Sequence, residues 1–351
     1  MKSILFLGDV FLPKAFGFQV KLTPDDEIIF NLEYAITESQ QGHPAKVNLK
    51  AERNHITETF PRPPLAVSLS NNHVADYGAQ GLDETFESLK AMGVHFFGAG
   101  TLEDNCHNPL LLDIDGCRLG IMGYVCPTVY PVFASENKYG VMPDELDTIC
   151  RDINTARQLG ATQVVIVLHW GFEDVFLPRP QDIKLAHQII DNGADLIIGH
   201  HAHCIQPYEV YNGKYIFYGL GNCIMPDLNV PSYFSAEGIS TIVYTKRQKW
   251  WHRRSLAVRY NPNPHSGDIE PFELRFDGNT LVETRKSVEK YRLKISSPAV
   301  YQKRFDAEYF ISSLRKMLAN FLVDPKLPRF RHLKSIFSHA RKVTSSKKTS
   351  Y

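Results

Sequence analysis

The chain predicts a layered α/β fold with sheets flanked by helices. Short apolar runs alternate with amphipathic helical patterns across residues 1–245. Several of those runs stop abruptly in glycine or polar residues, as strands do when they reach the edge of a layer. With 43% hydrophobic and 22% charged residues, the 351-residue chain has material for a sizeable core.

Taken in order, residues 4–7 form a strand that Gly8-Asp9 cuts short, and a short apolar run at 28–30 leads into Asn31-Leu32-Glu33. Strands at 65–69 and 94–97 bracket a helix over 81–92; strands at 119–125, 164–168 and 196–198 alternate with helices over 146–159 and 181–192. The helix at 181–192 carries Ile183, Ala186, Ile189 and Ile190 on one face and stops at Asn192-Gly193, a suitable C-cap. Runs at 208–211 and 215–219 are joined by Asn212-Gly213, the strongest short hairpin signal, so they pair antiparallel. More β structure follows over 246–282, with strands at 256–260 and 272–276 and a turn at Asp277-Gly278. From about residue 284 the period becomes helical: Phe310, Leu314, Met317, Leu318, Phe321 and Leu322 form an apolar stripe within 305–323. Pro325 and Pro328 break it, a second basic stretch runs over 333–348, and the last residues are expected to be disordered. The expected division is a main domain over 1–282 and a basic helical tail over 283–351.

The net charge of +1 hides an asymmetry. Residues 284–351 hold 17 Lys+Arg against 4 Asp+Glu, net +13, while residues 1–283 hold 22 against 34, net −12. The tail is therefore expected to contact an anionic polymer, a membrane surface, or the acidic body itself. No nucleic acid is expected, since no nucleic-acid-binding motif accompanies the charge. The six cysteines form no CxxC pair and read as reduced thiols. The N-terminal apolar run is too short for a signal peptide and no stretch of about 18 apolar residues occurs, so the expected location is cytoplasmic, peripheral to a membrane if the tail binds one.

Residues 195–203 read Asp-Leu-Ile-Ile-Gly-His-His-Ala-His, a buried-strand pattern that breaks into histidines. His201 and His203, two apart, are expected to project past the strand end into one cleft, and imidazole is the commonest protein ligand for transition metals. Three other apolar runs end alike, in Gly8-Asp9, Ser70-Asn71-Asn72-His73 and His169-Trp170-Gly171. Their convergence on the carboxyl ends of strands marks a site. Carboxylate, amide and imidazole together suit Mn²⁺, Fe²⁺ or Zn²⁺ better than Mg²⁺ or Ca²⁺, with one or two ions per chain. Glu33 is the best candidate for an acid bridging two ions, and a histidine near the metals could protonate a leaving group. Glu173 and Asn222 are candidates to line a substrate pocket.

In that order, Gly8-Asp9, Asn31-Leu32-Glu33, Asn71-Asn72-His73, His169-Trp170-Gly171, Gly199-His200-His201-Ala202-His203 and Leu220-Gly221-Asn222 resemble the motifs of the bacterial capsule synthesis protein CapA family. This family, also called the poly-γ-glutamate synthesis family, sits in the calcineurin-like metallophosphatase superfamily. The resemblance spans roughly residues 3–245 and implies a metallophosphatase-like β-sandwich flanked by helices. It also implies that Asp9, Glu33, Asn72, His169, His201 and His203 ligate metal, that Asp9 and His73 serve catalysis with His73 near the leaving group, and that His200 is either a ligand or a neighbour packed behind the site. Phe11 stands where the superfamily usually has a further histidine ligand, and Glu33 where it usually has Asp. The expected function is metal-dependent hydrolysis of a phosphoester or related bond in capsule or exopolysaccharide metabolism, with an anionic polymer or phosphorylated saccharide as substrate. The alternatives are a non-catalytic polymer-binding component of a synthesis or export complex, and hydrolysis of a γ-glutamyl amide bond.

Overall fold

A computed structural model describes residues 2–323 apart from residues 45, 104–105, 234–240 and 264–266. Two large sheets carry the fold. The first orders its strands as Gly17–Gln19, Thr280–Glu283, Asp268–Phe276, Arg254–Asn261, Ser3–Val10, Asp26–Leu32, Ala66–Ser68 and His95–Phe97, and Asn222–Ile224 pairs with the far end of Ser3–Val10. The second runs Tyr208–Tyr211, Lys214–Phe217, Leu196–His200, Gln163–His169, Cys117–Val125 and Leu110–Ile114. The first sheet is parallel from Ser3–Val10 across to His95–Phe97, antiparallel from Ser3–Val10 through Arg254–Asn261 and Asp268–Phe276 to Thr280–Glu283, and parallel again at Gly17–Gln19. The second has parallel central strands and an antiparallel pair at each edge.

Period-two alternation builds the layers. Ile4 and Phe6 share one apolar cluster with Ile29, Ile121, Val165, Val167, Leu196, Ile198 and Val258, drawn from both sheets. Leu5 and Leu7, one position out of phase, join the cluster that also holds the helix residues Leu82, Leu89, Ile149, Ile153, Ile183 and Ile189. Strands apolar on both faces must be covered on both, which explains the continuous apolar runs. The helices Gly78–Ala91, Leu146–Gln158 and Pro180–Asp191 lie within a few residues of their expected limits. Asn212 (φ 48°) and Gly213 (φ 77°) take the left-handed conformation that a two-residue type I′ hairpin needs. Asp115 and Gly116 do the same for the pair Leu110–Ile114 and Cys117–Val125, a hairpin not expected from the sequence although its Asp-Gly signal is present.

The C-terminal region departs from expectation. Residues after 284 begin with a short 3₁₀ turn at Glu289–Tyr291, and the helix starts only at Pro298 and runs to Val323. It packs on the body through Tyr301, Phe305 and Ser312, all buried, whereas Phe310, Ile311 and Leu318 are 41%, 48% and 58% exposed. Of the anticipated stripe, Phe310 and Leu318 are exposed and Leu314 and Met317 half-buried, whereas Tyr301 and Phe305, outside the stripe, join the apolar cluster of the body. Residues 324–351, including the second basic stretch, lie outside the described residues. No helix among the described residues is long and apolar enough to cross a membrane.

Candidate metal centre

The site forms where the parallel strands of both sheets end. Ser3–Val10 delivers Asp9, Asp26–Leu32 delivers Asn31 with Glu33 beyond it, Gln163–His169 delivers His169, and Leu196–His200 opens into His201 and His203. Close backbone crossings hold the strand ends together. A Cβ on Gly8 would meet Gly221 O at 1.9 Å, and one on Gly199 would meet Tyr218 O at 2.1 Å, so neither position has room for a side chain. His201 (φ 83°) and His203 (φ 53°) both occupy the left-handed region, which is costly for residues with a Cβ and turns the loop back over the strand ends.

All six expected ligand residues come together. His169 Nε2 lies 2.9 Å from Asn72 Oδ1, 3.2 Å from His201 Nδ1 and 3.6 Å from Glu33 Oε1. His203 Nε2 is 3.7 Å from Glu33 Oε1, and His203 Nδ1 is 3.5 Å from Asp9 Oδ2. The ligand atoms of Glu33, His201 and His203 fall within 4.8 Å of one another, a spacing that fits one cation between them. Asp9 Oδ2 and both carboxylate oxygens of Glu33 are buried without a hydrogen bond. Buried carboxylate oxygens with no donor are costly unless a cation meets them, so this donor set fits a divalent metal ion.

Around these groups stand residues that fix them. Asn31 Nδ2 donates to Asp9 Oδ1 at 2.8 Å, and His200 Nδ1 lies 2.9 Å from the same oxygen, leaving Oδ2 for the centre. His200 thus sits behind Asp9. Asn71 donates to Asn31 Oδ1 and to Leu32 O, tying the second and third motifs together. Asn222 Oδ1 lies 2.8 Å from His203 Nδ1, so the residue expected to meet substrate also orients an imidazole, as partners behind a metal ligand do. His73 is positioned by Asp76, whose Oδ2 lies 2.7 Å from its Nδ1, and Lys46 Nζ lies 2.7 Å from the other oxygen of Asp76. Asp76 has no sequence signal beyond its place three residues after His73, and Lys46, 26 residues before Asn72, has none. Glu173 borders a cavity with His73, His203, Asn222 and Lys246, and Lys246 Nζ is 3.3 Å from its carboxylate. Phe11, by contrast, is buried and packs edge-on against Tyr34 at 5.4 Å, so the chain offers no ligand there.

Electrostatics sharpen the picture. Burial opposes ionisation of Asp9, but the adjacent His200 and His203 outweigh it and hold the carboxyl well below its ordinary range. Burial, reinforced by the charge of Asp9, pushes Glu33 well above its ordinary value. Burial also drives His169 well down and His201 to about 3, so both are neutral and free to donate a lone pair. His203 goes the other way: despite burial, Glu33, Asp9 and Glu173 raise it to about 10. Lys246 holds Glu173 below its usual range.

Comparison with known proteins bears on what this centre belongs to. The family described as bacterial capsule synthesis protein PGA_cap matches residues 17–227. The capsule biosynthesis protein CapA of Bacillus anthracis is 29% identical over 210 residues, 58% of this chain and 51% of that protein. The PGA biosynthesis protein CapA of Bacillus subtilis (strain 168) is 30% identical over 202 residues, 57% of this chain and 53% of that protein. This chain thus spans about half the length of these relatives. Among solved structures, a hypothetical protein from Thermus thermophilus aligns over 78% of this chain and 99% of its own, with 15% identity and a TM-score of 0.45.

Proposed function

Because the chain belongs to the bacterial capsule synthesis protein PGA_cap family, we propose that it is a metal-dependent hydrolase of a phosphoester or related bond in capsule or exopolysaccharide metabolism. The observation that carries this reading is the set of buried carboxylate oxygens of Asp9 and Glu33 that accept no hydrogen bond, gathered with the imidazoles of His169, His201 and His203. Glu33, His201 and His203 would hold the ion, with Asp9, Asn72 and His169 completing its shell. A divalent ion bound there supplies Lewis acidity and eases ionisation of water. His73 is assigned as the proton donor to the leaving group: Asp76 holds its Nδ1, and the residue helps to line the cavity beside the metal centre. Glu173 and Asn222 contribute to the substrate-facing wall. The six cysteines are all free, which supports a reducing, cytoplasmic setting.

A second reading, a polymer-binding component without catalysis, draws support from the buried Phe11. Without a ligand at that position, the second ion of a dinuclear site is weakly held, and metal binding need not bring turnover. Metal analysis and a phosphodiesterase assay on the same preparation separate the two. The hydrolase reading expects near-stoichiometric Mn, Fe or Zn, with metal and activity lost together in His169→Ala and His203→Ala. Bound metal with no turnover on phosphodiesters would favour the binding component. Release of fragments from γ-linked polyglutamate alone would move the reaction to an amide bond.

A further inference from the structure

The C-terminal helix lies beyond residues 17–227, yet it forms a wall of the cleft over the metal centre. A cavity of about 460 Å³ opens beside Asn72, His73 and His201, and Tyr309, Ser313 and Lys316 close one side of it. Lys316 is fixed there: its Nζ donates to Glu173 O at 2.8 Å and sits 3.1 Å from Asp174 Oδ2. An ammonium group donates three hydrogen bonds, so one proton remains for a ligand in the cleft. Lys46 and Tyr130 line the same cavity. Tyr130 is 83% exposed and sits at φ 57°, closing the turn Pro127–Val129. A bulky residue rarely adopts that conformation, and strained positions of this kind gather at binding sites. Its ring stays in water next to a cleft that already holds hydroxyl groups from Thr128 and Ser313.

We propose that this helix is part of the substrate site, and that Tyr130 and Lys316 bind the sugar ring and a second anionic group of a phosphorylated saccharide whose scissile bond lies at the metal centre. The proposal rests on the hydrolase reading above. A sugar presents a C–H face that packs on an aromatic ring while its hydroxyls need donors and acceptors, and the cavity volume suits a ligand of that size. A flexible carboxylate chain would use Lys316 but has no ring to place on Tyr130.

The test uses protein incubated with Mn²⁺ or Zn²⁺ and freed of unbound ion, and non-hydrolysable phosphonate analogues of glucose 1-phosphate and glucose 1,6-bisphosphate, followed by titration calorimetry. Wild type should bind the doubly anionic analogue about tenfold more tightly than the singly anionic one, the effect of one charge-assisted contact. Lys316→Gln should abolish that ratio and Lys316→Arg should keep most of it. Tyr130→Ala should weaken both analogues about three- to tenfold, and Tyr130→Phe should not. Persistence of the ratio in Lys316→Gln, or indifference of both analogues to Tyr130→Ala, overturns the proposal. So does tight binding of a γ-glutamyl pentapeptide, unaffected by Tyr130→Ala, by protein that ignores both sugars. Metal content is measured on every sample: absent metal with the Lys316 and Tyr130 effects intact sinks the hydrolase reading and leaves the subsite standing.

Discussion

His203 is the one imidazole of the centre pushed toward its charged form. Its pKa of about 10 and the raised value of Glu33 mean that the pair keeps a proton at neutral pH. In metal-free protein the shift of His203 stabilises the folded state fully below its ordinary 6.5, and that contribution fades as pH rises through about 10. A metal ligand must be neutral imidazole or ionised carboxylate, so an incoming cation has to expel this proton. Zn²⁺ or Mn²⁺ binding should therefore release about one proton at pH 7, and affinity should rise by up to about tenfold per pH unit between pH 6 and 9. Calorimetric titrations in two buffers of different ionisation enthalpy measure this directly, and identical heats in both would count against it. Much of this chemistry is legible in the residues themselves, because histidines, carboxylates and amides at strand ends have few structural uses. The supporting groups are not. Asp76 and Lys46 look like ordinary polar residues until the fold sets them beside His73, and Asn31, though part of a motif, shows its hold on Asp9 only in the fold.

Strand pairing rests on a buried charge cluster as well as on apolar side chains. Asp26 opens its strand fully buried, accepts from Ser3 Oγ at 2.5 Å in the neighbouring strand, and pairs with Arg259 at 2.9 Å across the sheet. Burial works against its ionisation, but Arg259 and Ser3 outweigh that and depress the carboxyl below its ordinary 3.8. Stability from such a group is present above the unfolded pKa and lost as pH falls through the lower folded value. Asp26→Asn should thus cost about 2 kcal/mol at pH 7, read from the urea midpoint, and the gap to wild type should shrink steadily below about pH 4. A gap independent of pH would show that packing, not charge, is what the substitution disturbs. At this scale the parallel core strands are readable, since long Val/Ile/Leu runs admit little else. Short partners such as Gly17–Gln19 and Asn222–Ile224 are not, because three residues carry no period. Nor do apolar runs say which of the two sheets a strand joins.

The charge asymmetry between body and C-terminal region finds its physical meaning at Asp174. This buried residue, at φ 64°, accepts from Trp251 Nε1 at 2.7 Å, meets His252 and Lys316 with its carboxylate, takes Ser312 Oγ on its carbonyl at 2.6 Å, and donates its backbone N–H to Ala202 O at 2.9 Å. One side chain and its peptide groups thereby join the histidine loop, the turn Trp250–Arg253 and the C-terminal helix. Burial disfavours its charge, yet His252 and the lysines hold it far below the ordinary carboxyl range, so the junction persists into mild acid. The sequence shows a basic helix beside an acidic body but cannot reveal that Tyr301, Phe305, Ser312 and Lys316 tie it to that body. That depends on a loop distant in the chain. Asp174→Ala would leave the indole N–H, the imidazole and the Lys316 ammonium without their shared acceptor. The expected cost is about 3 kcal/mol, a fall of roughly 6–12 °C in melting temperature, with a shifted tryptophan emission and a less ordered histidine loop. Metal affinity should fall with it, although Asp174 touches no proposed ligand side chain, because Ala202 lies between His201 and His203. A helix acting only as an independent tail would give the opposite result: Asp174→Ala would leave metal affinity at its wild-type value, and truncation after residue 297 would do the same.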